Sequence, residues 1–281
     1  MRAACSPRNG ARRWPVGQEV KFGIGDQIIG TGIARGACLR GKRIAFGDGT
    51  RIRWDQHSAR IFSRNPDIAA PGSELAKDLE WIPFYKGNRI YNRQGDNRWI
   101  WNYDFHVRPG AIYLTQREQA EARPYGLRHV VIEPHVALWK SGVVNKDWGR
   151  ARYQAVADAL IKRGRRVLQC DYGGGPMLDN VVRVPTRAFR NALALLAYAG
   201  LYIGPEGGMH HGAAAVGIPA VVIFGGFVPP SVTGYNSHVN LTGGETTFCG
   251  SFDACPHCRA ALDRISVDEV LDATAIGLPA P

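Results

Sequence analysis

Among 281 residues there is no apolar run near the roughly 18 to 20 residues that a membrane-spanning helix needs. The early arginines Arg2, Arg8, Arg12 and Arg13 are not followed by the apolar stretch of about 7 to 15 residues that marks a secretory signal. Residues 1–16 therefore read as a loose basic leader, and the chain as a cytoplasmic protein. Its six cysteines, Cys5, Cys38, Cys170, Cys249, Cys255 and Cys258, are too few and too scattered for a disulfide framework, which excludes the small stapled folds. Internal repeats and low-complexity tracts are also missing, which excludes solenoids and repeat arrays. Acidic residues are the scarce charge, 24 against 35 basic ones, and the imbalance is local: residues 1–108 hold 19 basic and 10 acidic side chains. A basic first half suits a polyanion such as nucleic acid, a phosphorylated glycolipid or an anionic surface; a solvated, solubilising face is the alternative.

The length suits two compact lobes or one large α/β unit. The spacing predicts a strand at 19–22, a turn at Gly23-Ile24-Gly25-Asp26, a helix through about 39 and a strand at 43–46. Residues 51–109 are irregular and rich in Trp, Tyr, Arg and Asn, with short strands expected at 99–103 and 111–114. A regular series follows: strands at 129–133, 167–170, 181–184, 201–203 and 220–224, alternating with helices at 150–163, 187–198 and 209–216. Ser266 and Glu269 form a capping-box pattern before a last helix at 267–275. Such alternation implies a parallel sheet covered by helices. The expected division is a lobe at 17–120 that binds an acceptor and a lobe at 121–281 that binds a donor, parting near 115–128.

In open parallel sheets ligands gather beyond the carboxyl ends of the strands, where a glycine turn lets a helix N-terminus approach an anion. Gly204-Pro205-Glu206-Gly207-Gly208-Met209-His210-His211-Gly212-Ala213-Ala214-Ala215 is such a turn, leading into a helix of small residues and suited to a diphosphate. A tight structural turn is the plainer explanation. Near the C-terminus, Cys249-x5-Cys255-x2-Cys258 encloses His257. The cluster could hold zinc, but a tetrahedral structural site usually shows paired short spacings and a fourth ligand, so the expectation is no metal, with Cys249, Cys255 and Cys258 as the alternative that stays open.

The stretch 204–225 resembles the donor-site signature of glycosyltransferase family 9, the lipopolysaccharide heptosyltransferase-like enzymes of the GT-B fold. The resemblance falls on Glu206, Gly208, His211, Ala213 to Ala215, Pro219 and Gly225. Upstream, Asn145-Lys146-Asp147-Trp148 is similar to the family's lysine-x-tryptophan segment, and Gly23-Ile24-Gly25-Asp26 to the first-strand turn that carries its catalytic aspartate. The cysteine cluster followed by residues 265–270 resembles the family's C-terminal end. The likeness covers 18–40 and 128–275, while 50–115 matches nothing. It departs at Glu206-Gly207, where the family has aspartate-threonine, and in the shortness of the first lobe.

The resemblance implies two Rossmann-like lobes flanking a cleft, the first reduced and irregular. It also implies an inverting, metal-independent transfer from a nucleotide-diphosphate sugar, the co-substrate, with no cofactor. Asp26 is then the base, although a simple N-cap aspartate fits the same local pattern. Lys146 would pair with the departing diphosphate, and Glu206, Gly207, Gly208, Met209 and His211 would complete the donor site, Glu206 orienting ribose or backbone. No Asp-x-Asp triplet occurs, so helix dipole and lysine would stand in for a metal.

For the acceptor, family likeness points to a phosphorylated surface glycolipid. Residues 81–103, however, interleave aromatic rings with Arg, Lys and Asn, as capture of an exposed base requires. This favours a hydroxymethylated pyrimidine in DNA of viral type, bound by Gly23, Gly25, Lys86, Arg89, Arg93, Trp99 and Trp101. Core packing of these aromatics is the alternative. A monomer is expected, and a non-catalytic nucleotide-sugar or nucleic-acid binding module and an epimerase on the same fold stay open.

Overall fold

The computed structural model describes residues 23–83, 88–136, 142–173 and 175–278. The strand expected at 19–22, the basic leader and Lys86 lie outside these residues. In chain order the first part contains α1 (Ile24–Cys38), β1 (Arg43–Phe46), α2 (Gln56–Phe62), β2 (Leu79–Ile82), β3 (Asn88–Arg89), β4 (Asn92–Gly95), β5 (Arg98–Trp101) and α3 (Gln116–Ala122). The second contains β6 (His129–Ile132), α4 (Arg150–Lys162), β7 (Val167–Asp171), β8 (Val182–Pro185), α5 (Phe189–Tyr198), β9 (Ala199–Pro205) and α6 (Gly208–Val216). It ends with β10 (Ala220–Ile223), α7 (Pro230–Thr233), β11 (His238–Leu241), α8 (Pro256–Arg264) and α9 (Val267–Ala273).

Six strands of the second part form one parallel sheet in the order β11-β10-β9-β6-β7-β8. Counted along the chain from β6 this is 3-2-1-4-5-6, the doubly wound order, with its switch point between β6 and β9. Side chains of successive strand residues fall on opposite faces. Val131, Leu168, Tyr202 and Val222 meet α5, α6 and α1, whereas Val130, Val167, Ile203 and Val221 meet α4 and α9. Burying both faces explains why these strands read as nearly continuous apolar runs. The fold is an α/β fold of GT-B type with a reduced first part.

That first part has only a two-stranded parallel sheet, β1-β2, and a three-stranded antiparallel one, β3-β4-β5. Residues 111–114 are not a strand, contrary to expectation. The start of the segment is held by α1 instead: Thr31 Oγ1 accepts the Ala111 N–H at 3.0 Å, and Arg35 donates to the preceding Gly110 carbonyl at 3.0 Å. Two short helices stand where the pattern looked irregular or interlobar. Asp55 caps α2 by accepting the Ser58 N–H at 2.7 Å, and Thr115 with Glu118 forms a capping box on α3. At the other end Ser266 accepts the Glu269 N–H at 3.0 Å, so α9 starts where its capping pattern placed it. No helix among the described residues is long and apolar enough to cross a membrane.

Arg190 on α5 joins these pieces. Its guanidinium pairs with Glu118 on α3 and donates to the carbonyls of Arg60 at 2.8 Å and Tyr113 at 2.7 Å. Burial pushes the Glu118 carboxyl up, but Arg190 and the Thr115 cap outweigh it and hold it at about 2, against an ordinary 4.5. Arg190→Ala should lower the unfolding free energy by about 2 to 3 kcal/mol at pH 7, read by denaturant titration, because it leaves a half-desolvated carboxylate and two carbonyls unpaired. A depressed carboxyl stabilises the fold above its unfolded value, so the gap between wild type and variant should close as pH falls from 4.5 toward 2.

Candidate active site

Strand β9 delivers Glu206 and Gly207 to the carboxyl edge of the sheet beside the switch point, and α6 starts at once with Gly208. A Cβ on Gly207 would meet nothing within 4 Å among the described residues, so none of them crowds the turn. A Cβ on Gly25 would lie 3.1 Å from His211 Cδ2 and 3.5 Å from the Gly208 nitrogen. The N-termini of α1 and α6 therefore meet, and both turn the positive ends of their dipoles toward the same place.

Asp26 sits in the first turn of α1, three residues beyond the N-cap Gly23, and not at the N-cap itself. Its carboxylate reaches back to the Gly23 N–H at 3.0 Å. Arg89 pairs with Oδ2 at 3.1 Å, and the Tyr91 hydroxyl donates to Oδ1. Both partners come from the β3-β4 hairpin. Burial pushes the Tyr91 phenol up and the Asp26 charge pushes it further, so Tyr91 stays a proton donor. A carboxylate offers about four lone-pair directions. Three are taken here, and one on Oδ1 is left.

Glu206 is fully enclosed, with the Lys146 ammonium on Oε2 and His211 Nε2 3.3 Å from Oε1. Burial pushes its carboxyl up, but the charges of Lys146 and His211 outweigh this and hold it well below the usual carboxylate range. His211 Nδ1 meets the Tyr235 hydroxyl at 3.0 Å, and Lys146 lies over the Phe227 ring, 5.2 Å from its centroid. Lys146 ends a short 3-10 turn, Val143–Lys146, which Asn145 fastens to the 251–255 loop through the carbonyls of Ser251 and Asp253 and the Cys255 N–H.

Asp26, Lys146, Glu206, Gly207, Gly208 and His211 are thus brought together, with Arg89 beside Asp26. The other expected residues lie elsewhere or have their side chains engaged within the protein. Met209 is buried in the main apolar core, so only its backbone faces the turn. Gly25 makes room for α6, and Gly23 serves Asp26. Arg93 is exposed on β4. Trp99 packs edge-on against Phe252 beneath Arg89, and Trp101 edge-on against Phe227, so both rings are engaged internally.

Several residues of the site have no motif to announce them. Tyr91 and Tyr235 are found only through the fold. Glu133 is another, at the end of β6 across the switch point, buried, with Oε1 2.7 Å from His135 Nδ1 and Oε2 without a partner among the described residues. Glu206, His210 and His211 bring ligand atoms within 4.8 Å of one another, but Lys146 already holds the carboxylate, so a cation there would have to displace it. His210 is kept neutral, first by burial and then by His211.

No known family profile matches the chain. It is 29% identical over 133 residues to lipopolysaccharide heptosyltransferase 3 of Escherichia coli, an alignment covering 42% of this chain and 37% of that protein. Among solved structures, the iron-containing dodecameric glycosyltransferase TibC of enterotoxigenic E. coli superposes with a TM-score of 0.59 at 17% identity, over 90% of this chain and 72% of TibC. A glycosyl transferase family 9 protein of Veillonella parvula gives a TM-score of 0.45 at 15% identity, over 60% of this chain and 53% of its own. The chain resembles glycosyltransferase family 9. It spans only about a third to a half of the length of the first of these relatives in sequence and of the Veillonella structure.

The family 9-like landmarks at Asp26, Lys146 and Glu206 to His211 converge on the apposed helix ends, and the cysteine-bearing C-terminal landmark lies against the Lys146 turn. Lys146→Met leaves the buried Glu206 carboxylate with His211 alone. Its melting temperature should fall clearly at pH 7 and much less near pH 4, because protonating Glu206 relieves the uncompensated charge. Thermal unfolding at the two pH values measures this; an equal fall at both would separate Glu206 from Lys146.

Proposed function

We propose that the chain is an inverting glycosyltransferase that moves a heptosyl-type sugar from a nucleoside diphosphate to a hydroxyl of a phosphorylated surface glycan. The observation that carries the reading is the convergence of Asp26, Lys146, Glu206 and His211 where two helix N-termini meet at the switch point. The sequence likeness to a lipopolysaccharide heptosyltransferase supports the glycan acceptor over hydroxymethylated DNA. So does the packing of Trp99 against Phe252 and Arg89 and of Trp101 against Phe227, which commits part of each ring to contacts within the protein.

In this reading the acceptor hydroxyl takes the remaining lone pair of Asp26 Oδ1. Asp26 accepts its proton as the oxygen attacks the anomeric carbon, and the bond to the diphosphate breaks on the opposite face, so a single displacement inverts the centre. Negative charge grows on the leaving diphosphate. The free amides at the start of α6 and the Lys146 ammonium receive it, which makes no demand for a metal. Lys146 carries three donors and gives one to Glu206, leaving the others for phosphate. Glu206 is then a holder of Lys146 and His211. Arg89 and Tyr91 fix the Asp26 rotamer while leaving one direction open.

Incubation with ADP-heptose and other nucleotide sugars, offered a lipopolysaccharide core and, separately, DNA containing hydroxymethylated pyrimidines, tests the reading by mass spectrometry of both acceptors. The core should gain one sugar of inverted anomeric configuration. Asp26→Asn should slow transfer by about 10²- to 10⁴-fold with little change in donor affinity, and Tyr91→Phe, which removes one of the donors that orient the Asp26 carboxylate, should lower kcat with little change in donor affinity. Sugar gained by the DNA alone would overturn the acceptor, and an unimpaired Asp26→Asn the base.

A further inference from the structure

We infer that Cys249, Cys255, Cys258 and His257 hold one tetrahedrally coordinated transition-metal ion, zinc(II) or iron(II), in a closed structural site. The inference stands on these side chains and does not rest on the transfer reaction. One ligand atom from each of the four lies within 4.8 Å of all the others. A tetrahedral shell, in which metal–sulfur bonds of about 2.3 Å set the sulfurs roughly 3.8 Å apart, falls inside this span and needs only small side-chain adjustments.

Local structure brings the four together. Cys255 is the N-cap of α8 and Cys258 lies in its first turn, so the two-residue spacing gathers both sulfurs at a helix N-terminus, which favours thiolates. Cys249 arrives from the loop after β11, its sulfur 3.0 Å from that of Cys258 and accepting the Ser251 N–H at 3.4 Å. Two sulfurs this close must share a proton or a cation, since two bare thiolates would repel. His257 favours the cation. Its Nε2 meets Glu245 Oε2 at 2.9 Å, and Glu245 is braced by Arg264. Its Nδ1 is buried and has no hydrogen-bond partner among the described residues. A histidine clustered with three cysteines, one ring nitrogen free and the other steered by a carboxylate, is the pattern of a metal ligand and its orienting outer partner. Three soft thiolates and an imidazole in a tetrahedral set select zinc or iron over magnesium or calcium.

The site would lock a loop that serves both sides of the cleft. Ser251, Asp253 and Cys255 anchor Asn145, the neighbour of Lys146. Gly250 and Phe252 bond the Trp99 N–H and the Asn97 carbonyl of the β4-β5 hairpin, from the sheet that supplies Arg89.

The test measures metal per chain by plasma mass spectrometry on protein purified under reducing conditions without added metal, with free thiols counted in parallel. About one equivalent of zinc or iron is expected, iron being told apart by its thiolate charge-transfer absorption. Chelation should free the thiols and lower the melting temperature, and cobalt(II) added to the stripped chain should give a tetrahedral thiolate spectrum. Glu245→Gln, which keeps all four ligands, should weaken metal binding about 10- to 100-fold, and Cys255→Ser should weaken it further. Substoichiometric metal, with no cobalt spectrum and no thermal response to chelator, would overturn the inference; so would a Cys249–Cys258 disulfide in the reduced preparation.

Discussion

A carboxylate shut away from water must be paired, and Glu206 places that demand at the end of a central strand. Its desolvation is offset only if Lys146 and His211 are both held against it. Much of the surrounding architecture meets that requirement. The 3-10 turn presents Lys146, Asn145 pins the turn, Phe227 gives the ammonium a ring face, and Tyr235 fixes the far nitrogen of His211. The result is a positive ammonium kept in place, with donors to spare, before any anion arrives.

Apposition of α1 and α6 supplies the second half of the site. Gly25 admits the approach, because a side chain there would press on His211. The helix that carries Asp26 and the helix that follows Glu206 are thus fixed in register by backbone contact. The β3-β5 sheet then closes over Asp26 with two donors from one hairpin, giving orientation to a carboxylate that would otherwise be free to rotate.

The parallel sheet is legible in the sequence because strands buried on both faces must be apolar throughout, and because helices of ordinary length separate them. The Glu206 turn is legible for a related reason: small residues and glycine are needed where a strand runs straight into a helix that another helix end must touch. Other features leave no local signature. Residues 111–114 look like a strand, yet Thr31 and Arg190, far away in sequence, take the Ala111 N–H and the Tyr113 carbonyl. Strand β11 is only four residues long and carries His and Asn, so its pattern is weak. Met209 sits in the donor motif but points into the core, since a helix must bury one side. Trp99 and Trp101 have the composition of a stacking platform, and only tertiary contact reveals that Phe252 and Phe227 already occupy their rings. Tyr91 and Glu133 matter through what they face, which no spacing encodes.

The loop at 250–253 touches the Asn145 turn on one side and the β4-β5 hairpin on the other. A shared mount of this kind sorts thermal motion into two sorts. Displacements of the loop carry Lys146 and the hairpin together, so the gap between them scarcely changes. Only motions that deform the loop itself alter that gap, and short backbone hydrogen bonds make the loop stiff. The two ends of the site therefore drift in concert, and their separation is better defined than the position of either one.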